Sequence, residues 1–283
     1  MKKVFLFIVV QFIVFSCTPS ETAHVDRTMD DGTWFFLKPA DLPGEAQHTR
    51  HLELLGSYVE GYNKKVLQAI DIVQATAMDG GGYFAGLNVE PAESPIGYPL
   101  KLKNQALLEP PRTTSYCSGS SYAVFIETLN LLLVENKNPL PAANYEALRM
   151  QEMDGSRRED NVKFWGNWNA DGFGNHFALV QYSNMADKIL PVNARPGDFM
   201  NIAWKHGGGH SVIFLGWYQE PDGERKLLYW SSQKRTNGMG DELVSLDKIR
   251  QVMTVRLSRP DQLFEFNPET MTNTVVAGDT INW

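Results

Sequence analysis

The sequence predicts an α+β chain, with helices leading and strands following. Three observations carry that expectation. A helical period runs from His51 to Ala77, a second helix starts at Cys117, and strand-like runs separated by tight turns fill residues 199–233. In the first of these, Leu52, Leu55, Val59, Tyr62, Val66, Ile70, Val73 and Ala77 recur at steps of three or four, and Gly80-Gly81-Gly82 follows as a stop. In the second, Tyr122, Phe125, Ile126, Leu129, Leu132 and Leu133 mark one apolar side of a helix reaching about Glu135.

Taken in order, the chain opens on Met1-Lys2-Lys3, an apolar run from Val4 to Phe15, and Ser16-Cys17. A basic start, a short apolar run and a small residue make an export signal, and the run is shorter than the roughly 20 residues of a membrane span. The ending Val14-Phe15-Ser16-Cys17 resembles a bacterial lipobox, which would leave Cys17 as the lipid-carrying first residue. The organisation expected is therefore a lipoprotein signal peptide at 1–16, a polar tether at 17–31, an N-terminal helical extension at 32–112 and a catalytic domain at 113–283. Trp34 to Leu37 is a short strand candidate. Between Tyr83 and Pro111 prolines interrupt every period, leaving one strand near Leu100–Leu102. Asn144–Met153 is expected as a short helix, and Asn175–Ile189 as another with Phe177, Val180 and Met185 inward.

Three strands come next: Phe199–Trp204 after the Arg195-Pro196-Gly197-Asp198 turn, His210–Tyr218 after Lys205–Gly209, and Lys226–Gln233 after Pro221-Asp222-Gly223. Ser245 is expected to cap a helix from Leu246 to Gln251, with a strand from Val252 to Leu257. No internal repeat is present.

The chain has 283 residues and a net charge of −7, and nothing in it forms a basic patch for nucleic acid. Removal of residues 1–16 would take Lys2 and Lys3 and deepen that charge by two. There are two cysteines. With Cys17 lipidated, Cys117 has no disulfide partner, and an unpaired thiol in an exported protein is either buried or used.

The placement of Cys117 favours use. Polar residues lead to it and a helix leaves from it, so its thiol meets the unpaired N–H groups and positive dipole end of a helix. Such a site is expected to lower the thiol pKa and enrich thiolate. Thiol chemistry then needs a base, and His210 opens a strand that Gly207–Gly209 lets approach another backbone closely. A third polar group should orient the imidazole. Gln233 at the end of the next strand is favoured, with Ser231 on the same face.

Tyr116-Cys117-Ser118-Gly119, Arg195-Pro196-Gly197-Asp198-Phe199 and Gly209–Gly216 together resemble the nucleophile motif, the Pro-Gly-Asp turn and the histidine strand of NlpC-like, papain-type cell-wall peptidases. The resemblance covers residues 113–235. It implies a papain-like core in which the cysteine helix packs on a small antiparallel sheet, and hydrolysis of amide bonds in peptidoglycan peptides. Tyr116 stands where many members carry Asp, and the long interval from Cys117 to His210 marks Gly155–Asn175 as an insertion. Residues 18–110 have no counterpart.

Tyr116 and Ser118 beside the nucleophile, Trp165 and Trp168 in the Trp-, Gly- and Asn-rich stretch, and His176 after it are the candidate substrate contacts. Aromatic plugging of the core is the competing role for the two tryptophans. His206 and His210 have the spacing of a helical zinc pair, but the glycines between them oppose a helix, so no metal is expected. No cofactor is called for. The expected partners are a peptidoglycan or peptide substrate and a membrane reached through the lipid at the cell envelope, with oligomeric state open. Three activities compete: a cysteine endopeptidase or amidase, a non-catalytic cell-wall-binding lipoprotein, and an acyltransferase passing the same thioester to an amine.

Overall fold

A computed structural model describes residues 32–42, 49–85, 96–110, 112–149, 164, 173–270 and 274–283. The expected export signal and tether, with Cys17, and also Trp165 and Trp168 lie outside these residues. No helix among the described residues is long and apolar enough to cross a membrane.

The expected helix from His51 to Ala77 is two helices, α1 at His51–Leu55 and α2 at Asn63–Ala75, joined by a 3-10 turn at Gly56–Tyr58. The break has a local cause, because Gly61 takes φ +57, which no helix contains. The apolar spacing survives it: Leu55, Val59, Val66, Ile70 and Val73 are all buried. The chain then forms a hairpin, β2 at Leu100–Leu102 with β3 at Gln105–Leu108, turned by Lys103 and Asn104 at positive φ. Before it, β1 at Phe36–Leu37 is the short apolar strand near Trp34.

Helix α3 spans Cys117–Leu132. Expected to bury one side, it is instead buried all round its first ten residues. The reason is its position: α2 and β2 pack on it, and so do β6 (Gly209–Gln219) and β7 (Arg225–Gln233). Small side chains in its first turns, Ser118, Gly119, Ser120 and Ser121, allow that crowding. A short α4 at Ala142–Leu148 follows.

The segment expected to be helical from Asn175 to Ile189 splits. One turn, α5 at Gly174–His176, runs into a π-helical stretch at Phe177–Tyr182, and β4 follows at Ala186–Ile189. Asn184 at φ +53 reverses the chain between them. The remaining strands are β5 at Phe199–Trp204, β8 at Gly238–Ser245 and β9 at Ile249–Leu257. Ser245 leads only to a 3-10 turn at Leu246–Lys248, because β9 takes the residues expected to be helical.

These strands make one sheet in the order β4-β9-β5-β6-β7-β8, antiparallel throughout, with β1 added parallel to β6 at Phe36–Trp217. The fold is therefore mixed α+β, with α3 laid on one face of the sheet. Ile213, Leu215, Leu228 and Trp230 meet the helices in the main core. Phe214, Trp217, Leu227 and Tyr229 form a second core on the opposite face, against Trp34, Phe36 and Ile281.

The Pro196-Gly197-Asp198 turn is a junction rather than a simple entry to a strand. Gly197 sits at φ +91 with the Asn63 backbone so close that a side chain there would strike it. Asp198 is fully buried and accepts from Arg256 Nε and a terminal nitrogen, Asn63 Nδ2 and Arg195 N, each at 2.8 Å. It ties α2, β9 and the start of β5 together with charge-assisted bonds.

Candidate active site

Tyr116 is extended, and no side chain caps α3 after it, so the N–H groups of the first helical turn stay available. Cys117 is the residue at that tip, a free thiol that is 6% exposed. The backbones of Ser211, Ser118 and Cys117 itself and the Tyr116 side chain lie near the sulfur and favour its thiolate. Ser211 is the residue after His210, which brings the cysteine helix against the histidine strand.

Buried hydrogen bonds hold that apposition. Ser121 Oγ, one turn after Cys117, lies 2.8 Å from Ser211 Oγ and donates to the Cys117 carbonyl at 3.0 Å. Ser211 also reaches Asn175 Oδ1 at 3.3 Å, and its carbonyl accepts from Ser231 Oγ at 2.7 Å. Ser115 Oγ donates to Ser232 Oγ at 2.8 Å, fixing the residues before Cys117 to β7. Ser231 therefore orients the backbone next to the histidine rather than the ring.

His210 and Cys117 line one cleft of about 380 Å³, together with Tyr116 and Gln233. The imidazole is flanked by Trp204 at 6.1 Å and by Tyr229, edge-on, at 5.3 Å between ring centres. Gln233 donates from Nε2 to Thr236 Oγ1 at 2.7 Å and to Gly240 O at 3.1 Å, so its amide is fixed in the cleft wall near the imidazole. His210 Nε2 and Gln233 Oε1 are both buried, and neither has a hydrogen-bond partner among the described residues.

The electrostatics differ from the expectation of a lowered thiol pKa. Burial pushes the Cys117 thiol up to about 11, and the surrounding N–H donors offset this only in part. Burial also lowers His210 to about 4 against the opposing pull of Gln233. At neutral pH the cleft thus holds a thiol and a neutral imidazole. The helix N-terminus is present, but desolvation at a packed helix tip outweighs it.

Of the other candidate residues, Ser118, next to Cys117 in the chain, is buried with an unpartnered Oγ. His176 is buried at the end of α5 and is not part of the cleft wall; burial lowers its pKa. His206 stands in the turn before β6, stacked on Trp204 at 6.3 Å. Sequence reasoning missed Tyr83, Tyr229 and Glu242, which also line the cleft. Tyr83 comes from the segment after α2, where Gly80, Gly81 and Gly82 all take positive φ and pair with the start of β8. That glycine run, legible as a helix stop, was the one signal for a close backbone approach there.

Comparison with protein-family models, with curated proteins and with solved structures gives no match in any of the three.

Proposed function

We propose that this protein is a cysteine-dependent hydrolase of amide bonds in peptidoglycan peptides, built on a papain-like, NlpC-type core. One observation carries the reading: a cysteine at an uncapped helix tip shares a cleft with a histidine and a glutamine amide. In the first half-reaction the Cys117 sulfur attacks the amide carbonyl while neutral His210 takes the thiol proton. N–H groups at the start of α3 hold the oxyanion. Collapse expels the amine, which takes the proton from His210, and leaves a thioester. His210 then removes a proton from water, the resulting hydroxide attacks the thioester, and the acid leaves as Cys117 is reprotonated. Gln233 Oε1 accepts from the other ring N–H and keeps the imidazole aimed. Residues 1–17 fit export and lipidation at Cys17, which would place this chemistry at the cell envelope.

Replacing Cys117 with Ala is expected to abolish release of soluble fragments from purified peptidoglycan, and unchanged release overturns the assignment. The burial of the thiol favours a second reading, a binding protein that holds cell-wall peptide in the same cleft without cutting it. Iodoacetamide labelling separates the two. Cys117 that reacts no faster than free cysteine at neutral pH, in a protein releasing no fragments, supports the binding protein.

A further inference from the structure

At the other end of β6 from His210, aromatic side chains gather toward the surface. Trp34 lies 4.2 Å from Trp283 and 5.5 Å from Trp217 between ring centres, and Phe36 lies 5.1 Å from Trp283. Trp217 is fully buried and donates from Nε1 to Pro191 O at 3.1 Å, which draws the residues after β4 against these rings. Two members of the group face water: Leu190 is 55% exposed and Trp283 is 45% exposed. Leu190 and Trp34 line a depression of about 340 Å³, with Asp279 and Asn282 among its polar residues. The one carboxylate there is neutralised, because Lys188 Nζ sits 3.1 Å from Asp279 Oδ1. The Arg225 guanidinium lies over the Trp283 and Phe36 rings, at 4.7 and 5.2 Å. Exposed leucine and tryptophan bordered by a cation suit the boundary between acyl chains and phosphate headgroups.

The path of the chain says what lies opposite this face. Gly32 N donates to Asn193 Oδ1 at 3.1 Å, so the described chain sets out from the rim of the patch, two residues before Trp34. Fifteen residues, 17–31, separate that point from the far side of Cys17. A flexible chain of that length spans roughly 20 Å root mean square, close to the radius of gyration of a folded body this size, roughly 18 Å. A lipid on Cys17 therefore holds a bilayer within about one molecular radius of Trp34, and this face meets it more often than remote ones. At such proximity, contacts too weak to recruit a free protein suffice to orient a tethered one. Trp217 follows His210 by seven residues on β6, roughly 23 Å of strand. A face entering the headgroup boundary by about 5–10 Å thus leaves the cleft in water.

We propose, on the reading that Cys17 is lipidated, that Leu190, Trp34, Trp283 and Arg225 form a docking face that lays the anchored protein on a phospholipid bilayer. The full mature chain from residue 17, carrying Cys117→Ala, is joined through the Cys17 thiol to a maleimide phospholipid. The vesicles contain phosphatidylethanolamine and phosphatidylglycerol, with a phosphatidylcholine brominated in its acyl chains. Docking is expected to quench tryptophan fluorescence. Leu190→Gln, at an exposed position outside both cores, should lower the ratio of docked to undocked protein about fivefold, and Trp283→Phe should reduce the quenched fraction. No quenching of the lipid-joined chain, or equal quenching with and without the two substitutions, overturns the docking face and leaves the lipid anchor standing. Self-association of the unjoined chain that Leu190→Gln abolishes assigns the patch to a second copy and overturns it too. Mass spectrometry tests the anchor separately: a bare Cys17 in protein recovered from its own cells removes the anchor, and the docking face with it.

Discussion

Two histidines of this molecule, His51 buried and His210 half-buried, are driven in opposite directions. His51 begins α1 and is 1% exposed, with Nδ1 at 2.7 Å from Asp71 Oδ1 and Nε2 at 2.8 Å from Asp241 Oδ1. Burial alone would lower its pKa, but the two carboxylates overcome this and raise it to about 9. Asp71 also accepts from the backbone N–H of His51 and Leu52, so it caps α1 from α2 while pairing with the ring. His210 has two aromatic rings and one amide where His51 has two carboxylates, and burial takes it down to about 4. The same side chain is a fixed cation in one place and a neutral base in the other. Burial sets how much the charge costs, and the partner decides whether it is kept.

The sharpest way to break this comparison is at His51. Replacing it with Ala leaves Asp71 and Asp241 facing each other without their cation and should cost about 3 kcal/mol, read as a fall in the urea midpoint. In the wild type the sign follows from the raised folded pKa. The stabilisation is complete below the unfolded value near 6.5 and is lost as pH climbs toward about 9. Urea midpoints should therefore decline between those values, and the variant should lack that decline.

His210 gives the opposite limb. Its folded pKa is depressed, so above 6.5 both states are neutral and it contributes no pH dependence; from there down to about 4 the unfolded chain takes a proton that the fold refuses, and stability falls. The rate should follow the same group. The logarithm of kcat/KM is expected to bend near pH 4 and to stay level through neutrality. Gln233→Ala should lower kcat by about 10–100-fold with KM little changed, since the ring loses its orienting partner but the cleft remains. A bend near 6.5 would show that His210 is not held neutral by its surroundings.

The smallest effect belongs to the serine pair that joins α3 to β6. Ser211→Ala and Ser121→Ala should each cost about 1 kcal/mol of stability and a few-fold in kcat. Their double variant should cost less than the sum, because the two hydroxyls share one bond at 2.8 Å. Strict additivity in both readouts would mean that the pair does not couple α3 to β6.

Much of the fold was legible because its signals are local. The spacing of Leu55, Val59, Val66, Ile70 and Val73 announced a buried helical face, and that face formed even though Gly61 split the helix in two. Strand β7 announced itself through its strand-like run and its preceding turn, within a residue of its observed start. Strand β8 was missed, since Gly238-Met239-Gly240-Asp241 reads as loop and is strand only because β7 pairs along its full length. The π-helical stretch at Phe177–Tyr182 was likewise hidden, because a helical period does not distinguish that winding from the ordinary one.

The sequence by itself determined that a cysteine would stand at a helix start, that a histidine would open a strand, and that a glutamine would close the next one. Those are statements about neighbours along the chain, and propensity and turn chemistry suffice for them. Only the tertiary structure decided which of these groups carry a proton, that Tyr83, Tyr229 and Glu242 complete the cleft, and that Ser121 meets Ser211. Protonation depends on how much water is excluded and on charges arriving from distant segments, and neither quantity exists until the chain has folded.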